Sequence, residues 1–63
     1  MKEKIKEIGK EFRRLRELNG LSQTEVAEIL GVTYQTIGRV ENGIYSYNLD
    51  LYLRLKDFYE SQN

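Results

Sequence analysis

Two helix starts stand eleven residues apart, at Ser22 and Thr33, with one glycine between them, and this spacing constrains the chain more than any other feature. In Leu21-Ser22-Gln23-Thr24-Glu25-Val26, Ser22 is placed as N-cap and Glu25, three residues on, completes a capping box. Leu21 and Val26 are spaced as a hydrophobic staple across that start. At roughly 100° per residue, Val26, Ala27, Ile29 and Leu30 fall on one side of the helix, leaving Thr24, Glu25 and Glu28 on the other. Ala27 is small enough to admit a close helix crossing. Gly31 supplies the left-handed residue that ends the helix. The second start follows at once, with Thr33 as N-cap and Val32 with Ile37 as its staple, and Asn42-Gly43 marks its end. Two short helices joined by a turn of about three residues make a helix-turn-helix, spanning about 22–42, whose helices cross steeply.

The flanks supply the rest of a core. Ile5, Ile8, Phe12, Leu15 and Leu18 recur at three- and four-residue steps and trace the apolar stripe of a first helix ending near Asn19-Gly20. Gly9 interrupts that stripe, and a mid-helix glycine costs about 1 kcal/mol against alanine. The helix proper is expected to begin near it, with 1–6 a looser basic arm; the alternative is that a neighbouring backbone packs closely there. A last helix is expected over about 49–61, with Asn48 as N-cap and Asp50 in the first turn. Leu51, Leu55 and Phe58 form one stripe on it, while Leu49, Tyr52, Leu53 and Tyr59 widen its apolar surface beyond what a core-facing helix needs. Those four residues are candidates for a dimer surface, plain core packing being the other reading. With 63 residues the chain has room for a single all-α domain, near the lower size limit of autonomous folding.

Composition removes several classes of function. There is no cysteine and no histidine, so disulfides, thiolate chemistry and the usual zinc ligand sets are excluded, and no metal or cofactor is expected. Serines and carboxylates occur without a base to activate them, and no Gly-rich phosphate loop is present, so an enzyme acting on a small-molecule substrate is not expected. The apolar runs are too short for a membrane span and the N-terminus lacks the apolar stretch of a secretion signal, which points to a cytoplasmic protein. Single-stranded RNA readers usually offer stacked aromatics on a sheet or groove, which this pattern lacks.

The third helix divides into two arcs. Thr36, Ile37, Val40 and Glu41 share one, and Tyr34, Gln35, Gly38, Arg39 and Asn42 the other. The outer arc has the chemistry to read base edges: glutamine bonds adenine N6 and N7, arginine clamps guanine O6 and N7, and tyrosine offers an edge and a hydroxyl. Gly38 removes a side chain in its middle, letting the axis sit close to a groove floor, although polar helical faces are most often only solvated. Gln23, in the first turn of the second helix, is placed to donate to a phosphate beside exposed helix-terminal amides, or simply to be solvated. Ser22, beside it, is a further candidate for a phosphate contact. Asn42 suits either a phosphate contact or an ordinary helix ending. Glu41 faces the negative end of its helix dipole and needs a partner; Arg16, at the end of the first helix, is the best-placed cation, and a structural ion pair is expected. The net charge is zero, yet residues 1–20 carry seven basic side chains against four acidic ones. For a partner as anionic as duplex DNA the surplus is local and modest.

The stretch IGKEFRRLRELNGLSQTEVAEILGVTYQTIGRVENG and the apolar helix after it resemble the phage repressor and Cro-like (XRE-type, lambda-repressor-like) helix-turn-helix family of transcriptional regulators. LSQ, the VA pair, GVT, the Ile-x-x-Val spacing and ENG are in register over about 8–55. The resemblance implies a compact bundle of four or five helices that binds double-stranded operator DNA, usually as a homodimer on a two-fold symmetric site. Carried over by position, Tyr34, Gln35 and Arg39 correspond to base-reading residues with Thr33 and Gly38 close to the groove. Gln23 and Asn42 correspond to phosphate contacts, and Arg16 with Glu41 to the family's internal ion pair. Many members carry lysine or arginine in the loop after ENG, whereas here the loop reads Ile44-Tyr45-Ser46-Tyr47. Tyr45 is expected to bond a phosphate or base edge instead, and the basic arm of Lys2, Lys4 and Lys6 to supply the missing charge. The competing class is a protein-interaction module of the same fold, antitoxin-like or anti-repressor, favoured by zero net charge and tyrosine-rich segments.

Overall fold

The computed structural model describes residues 2–44 and 48–62, which form four helices and no strand: α1 (Lys2–Leu18), α2 (Gln23–Leu30), α3 (Tyr34–Glu41) and α4 (Leu49–Ser61). Each of the last three begins at a polar N-cap. Ser22 accepts from the Glu25 amide at 3.0 Å while the Glu25 carboxylate accepts from the Ser22 amide at 2.8 Å, closing the capping box. Thr33 accepts from the Thr36 amide at 3.3 Å, and Asn48 from the Leu51 amide at 2.7 Å. Gly31 ends α2 at φ 72°, where a side chain would be strained, and its amide reaches back to the Ala27 and Glu28 carbonyls. The turn into α3 is therefore as short as the caps require.

α3 packs on α2 and on α1, and α4 packs on α1. The core is built from Phe12, Val26, Ala27, Leu30, Ile37, Val40, Leu51, Leu55 and Tyr59, so every helix contributes to one interior. Ile8, Leu15, Leu21, Val32, Tyr52 and Phe58 pack against its edge. Arg54 ties α4 to the helix-turn-helix: its guanidinium donates to the carbonyl of Leu30, an acceptor left over at the end of α2.

Several expectations need correction, among them Leu18, expected on the apolar stripe of the first helix but 69% exposed. The first helix does not begin near Gly9; it starts at Lys2, so residues 2–6 are helical and the looser arm is not found. Gly9 is buried because the chain end of α3 crosses it: a Cβ there would lie 2.3 Å from the Val40 carbonyl oxygen and 2.8 Å from that of Glu41. Tyr59 is 1% exposed and belongs to the core, with its ring centroid 5.8 Å from that of Phe12, so it is no part of a dimer surface. The buried stripe of α4 runs Leu51, Leu55, Tyr59 at steps of four, displacing Phe58 to the edge. Ile29, expected to face inward with Val26 and Leu30, is 56% exposed. Leu49 and Leu53 are 70% and 45% exposed, and Tyr52 is half-buried. Tyr45 lies outside the described residues. Among the described residues no helix is long and apolar enough to cross a membrane.

Candidate functional site

α3 is held from behind by a buried polar knot. Arg16 Nε donates to Glu41 Oε2 at 2.7 Å and Arg16 Nη2 to Glu41 Oε1 at 3.1 Å, a two-pronged pair with both residues buried. The third prong, Nη1, donates to the Leu21 carbonyl at 2.8 Å. The hydrogen bond to Glu41 raises the Arg16 pKa further, against the opposing effect of burial. The guanidinium thus ties three elements together: the end of α1, the entry to α2 and the last turn of α3. Removing one partner of such a pair costs about 3–5 kcal/mol, because the other charge stays buried alone. The fork geometry also fixes how α3 is rotated about its axis.

The Gln23 amide completes this knot. Its Nε2 donates to Glu41 Oε1 at 3.1 Å, and its head group lies 3.7 Å from where a Cβ on Gly38 would stand. Sequence reasoning placed Gln23 toward solvent or a phosphate and missed its bond to Glu41. One amide hydrogen is used inward; the second and the carbonyl remain. Gly38 is not enforced by close packing within the chain, since an added methyl would meet Gln23 only at ordinary contact distance. That distinguishes it from Gly9, where backbone blocks any side chain.

With the inner arc anchored through Ile37, Val40 and Glu41, the outer arc is presented to solvent. Tyr34 is 53% exposed, Gln35 and Arg39 are exposed, and neither Gln35 nor Arg39 makes a side-chain hydrogen bond or ion pair among the described residues. Thr33 sits at the start of this arc; its Oγ1 caps α3 and lies 3.0 Å from Thr36 Oγ1. At the far end Asn42 is exposed, and its Nδ2 donates to the Gly38 carbonyl at 2.9 Å. Its side chain therefore caps the helix, and its Oδ1 accepts no hydrogen bond among the described residues. Ser22 is exposed at the start of α2, where its Oγ accepts from the Glu25 amide and its own proton remains to be donated. The structure thus places Ser22 and Gln23 on one helix start and Tyr34, Gln35, Gly38, Arg39 and Asn42 along the exposed side of the next.

Beside Asn42 opens a cleft lined by Lys6, Lys10, Arg13, Glu41 and Asn42. A second depression, about 270 Å³, lies between α1 and α4, with Ile8, Phe12, Leu15, Tyr52 and Tyr59 as floor and Glu11, Lys56 and Glu60 as rim.

A family model described as helix-turn-helix matches residues 12–59. Two curated relatives, one from Pyrococcus furiosus and one from Pyrococcus horikoshii, are each 38% identical over 52 residues, covering 82% of this chain and 16% of their own length. Both carry the provisional name of an HTH-type transcriptional regulatory protein. The chain therefore spans about a sixth of the length of the curated relatives it matches. No solved structure matches it.

Proposed function

The chain belongs to the XRE-type helix-turn-helix family, and from that premise we propose that it is a sequence-specific duplex DNA-binding module of a transcriptional regulator that lays α3 in the major groove. The observation that carries this reading is the contrast between the two sides of α3: a buried knot fixes one, while Tyr34, Gln35 and Arg39 are exposed on the other. Prepositioned donors on a rigid helix are what direct readout needs, because a base edge is recognised only if the donors arrive at fixed spacing. In this reading Arg39 clamps a guanine, Gln35 an adenine, and Tyr34 contacts the neighbouring edge. Thr33 and Gly38 let the helix approach. Ser22, the spare Gln23 hydrogen and the α2 amides bind one phosphate, and Asn42 accompanies the backbone at the other end of α3.

The module is proposed to act by binding alone, with no cofactor and no catalysis, and to repress, since a compact domain seated on an operator blocks access by its bulk. It is proposed to bind as a homodimer on a two-fold symmetric operator. Leu49 and Leu53 support this: they stand four residues apart on one side of α4, largely exposed, with the edge of Tyr52 beside them.

Selection of bound duplexes from a random library at near-physiological salt tests the proposal. Enrichment of a palindrome with half-sites about one helical turn apart is the expected result. Arg39→Ala should then weaken binding to the winner by about 1–3 kcal/mol and relax preference at one base pair. A uniform loss on all sequences would make Arg39 a phosphate contact. Failure of any sequence to enrich would overturn the proposal in favour of a protein-interaction module, for which the apolar depression between α1 and α4 is the docking candidate.

A further inference from the structure

The continuation of α1 to Lys2 rearranges the basic residues of the N-terminal segment. On a helix, at roughly 100° per residue, Lys2, Lys6, Lys10 and Arg13 fall within an arc of about 80°, while Lys4 points some 160° away from Lys6. The zero net charge of the chain thus conceals a one-sided basic stripe. The stripe lies along the end of α3: the Lys6 stem packs so closely on Gly43 that a Cβ there would be 2.6 Å from its Cγ, and Lys6, Lys10 and Arg13 share a cleft with Asn42.

We propose that Lys2, Lys6, Lys10 and Arg13 form a phosphate-binding stripe that grips one strand of duplex DNA along the edge of the groove entered by α3. This rests on the DNA-binding reading above and adds to it the residues that supply the electrostatic part of affinity. Lys2, Lys6 and Lys10 are exposed and have no ion-pair partner among the described residues. Arg13 has Glu17 at 3.4 Å, an exposed pair of the kind that gives way readily to a stronger anion. The acid nearest the cleft, Glu41, already accepts from Arg16 and Gln23, so it does not consume the stripe's charge. Glu3 borders the stripe on one side, and Glu17 falls within its arc, paired to Arg13. At 1.5 Å per residue the four cations extend over about 16 Å, and phosphates rise about 3.4 Å per nucleotide along the duplex axis and stand farther apart along the strand itself, so a few lie within reach. The stripe thereby stands in for the basic residues that the loop after Gly43 lacks.

The test is a salt series on the selected duplex, with the intact chain and four single variants: Lys6→Gln, Lys10→Gln, Arg13→Gln and Lys4→Gln. Each stripe variant is expected to lower the slope of log K against log salt by about 0.9, the value for one lost phosphate contact, with base preference unchanged. Lys4→Gln is the matched control and should leave the slope as it is. Wild-type slopes in Lys10→Gln and Arg13→Gln, which are exposed and far from the core, would overturn the stripe while leaving the readout face intact. An equal fall in Lys4→Gln would overturn it too, in favour of diffuse attraction. If the wild-type chain enriches no sequence and is not retained on DNA at low salt, the stripe and the DNA-binding reading fail together, and Arg39→Ala then has no base preference to lose.

Discussion

Tyr59 carries a polar atom into the core beside Phe12. Its hydroxyl is fully buried and has no hydrogen-bond partner among the described residues. Burial, with a smaller contribution from the Glu41 charge, pushes its pKa up to about 12, while Arg16 pulls the other way. An unsatisfied buried hydroxyl costs about 1–3 kcal/mol, so Tyr59→Phe is expected to raise the urea midpoint by the equivalent of about 1 kcal/mol. An unchanged or lowered midpoint would mean that water satisfies the hydroxyl. The raised pKa also sets a direction with pH. The folded state holds the Tyr59 proton more tightly than the unfolded chain, whose tyrosine loses it near pH 10. The stabilisation is complete below that point and is lost as pH climbs from about 10 to about 12. Unfolding curves across that window should show the wild type losing stability faster than Tyr59→Phe. The Tyr59 assignment was only half legible: the spacing Leu51, Leu55, Tyr59 is a helical stripe, but a hydroxyl argues for an exposed position, and only the space beside Phe12 decided the matter.

At the scale of helices, two glycines of similar appearance have opposite meanings. Gly9 permits the crossing of α1 and α3, where the Val40 and Glu41 carbonyl oxygens occupy the space of a side chain. Gly9→Ala adds helix propensity but overpacks backbone against backbone, and a net loss of about 2 kcal/mol is expected in chemical denaturation. Gly38 faces out, with room for a methyl beside Gln23. Gly38→Ala is expected to stabilise the fold by about 0.5–1 kcal/mol while weakening binding to the selected duplex, because a methyl lifts α3 from the groove. Gain of stability without loss of DNA affinity would show that α3 does not lie that close. The caps of α2 and α3 could be read from sequence because they are local, each depending on a side chain and an amide three residues apart. At Gly9 the sequence offered a close backbone approach only as the second of two readings, since the crossing depends on a backbone more than thirty residues away.

The whole molecule is small, and its one core draws on all four helices. A domain of this size rarely has more than about 3–5 kcal/mol in reserve. Leu55 is 1% exposed, and truncating a buried leucine costs about 2–5 kcal/mol. Leu55→Ala is therefore expected to leave a large share of the chain unfolded at 25 °C, seen as lost helical circular dichroism. A helical, cooperative melt close to wild type would mean that α4 is dispensable for holding the helix-turn-helix. Interactions such as Arg54 with the Leu30 carbonyl show how α4 is joined to that unit: by a terminus that needs an acceptor filled, as well as by apolar contact.

What the sequence determined by itself is what short-range chemistry determines: where helices start and stop, which side of each is apolar, and which residue types stand on the outer arc of α3. The Arg16–Glu41 pair was within reach because a carboxylate at a helix C-terminus demands a cation and Arg16 stands at the end of the first helix. How those helices sit on one another was left to the contacts between them. The tertiary structure sent Gln23 inward to Glu41, buried Tyr59, turned Ile29 out, and converted a basic arm into a stripe by carrying α1 through Gly9 to Lys2. For Gln23 and Tyr59 a contact distant in sequence outweighed a local preference. A bond or a filled space across helices contributes one to several kcal/mol, where propensity contributes about one at most.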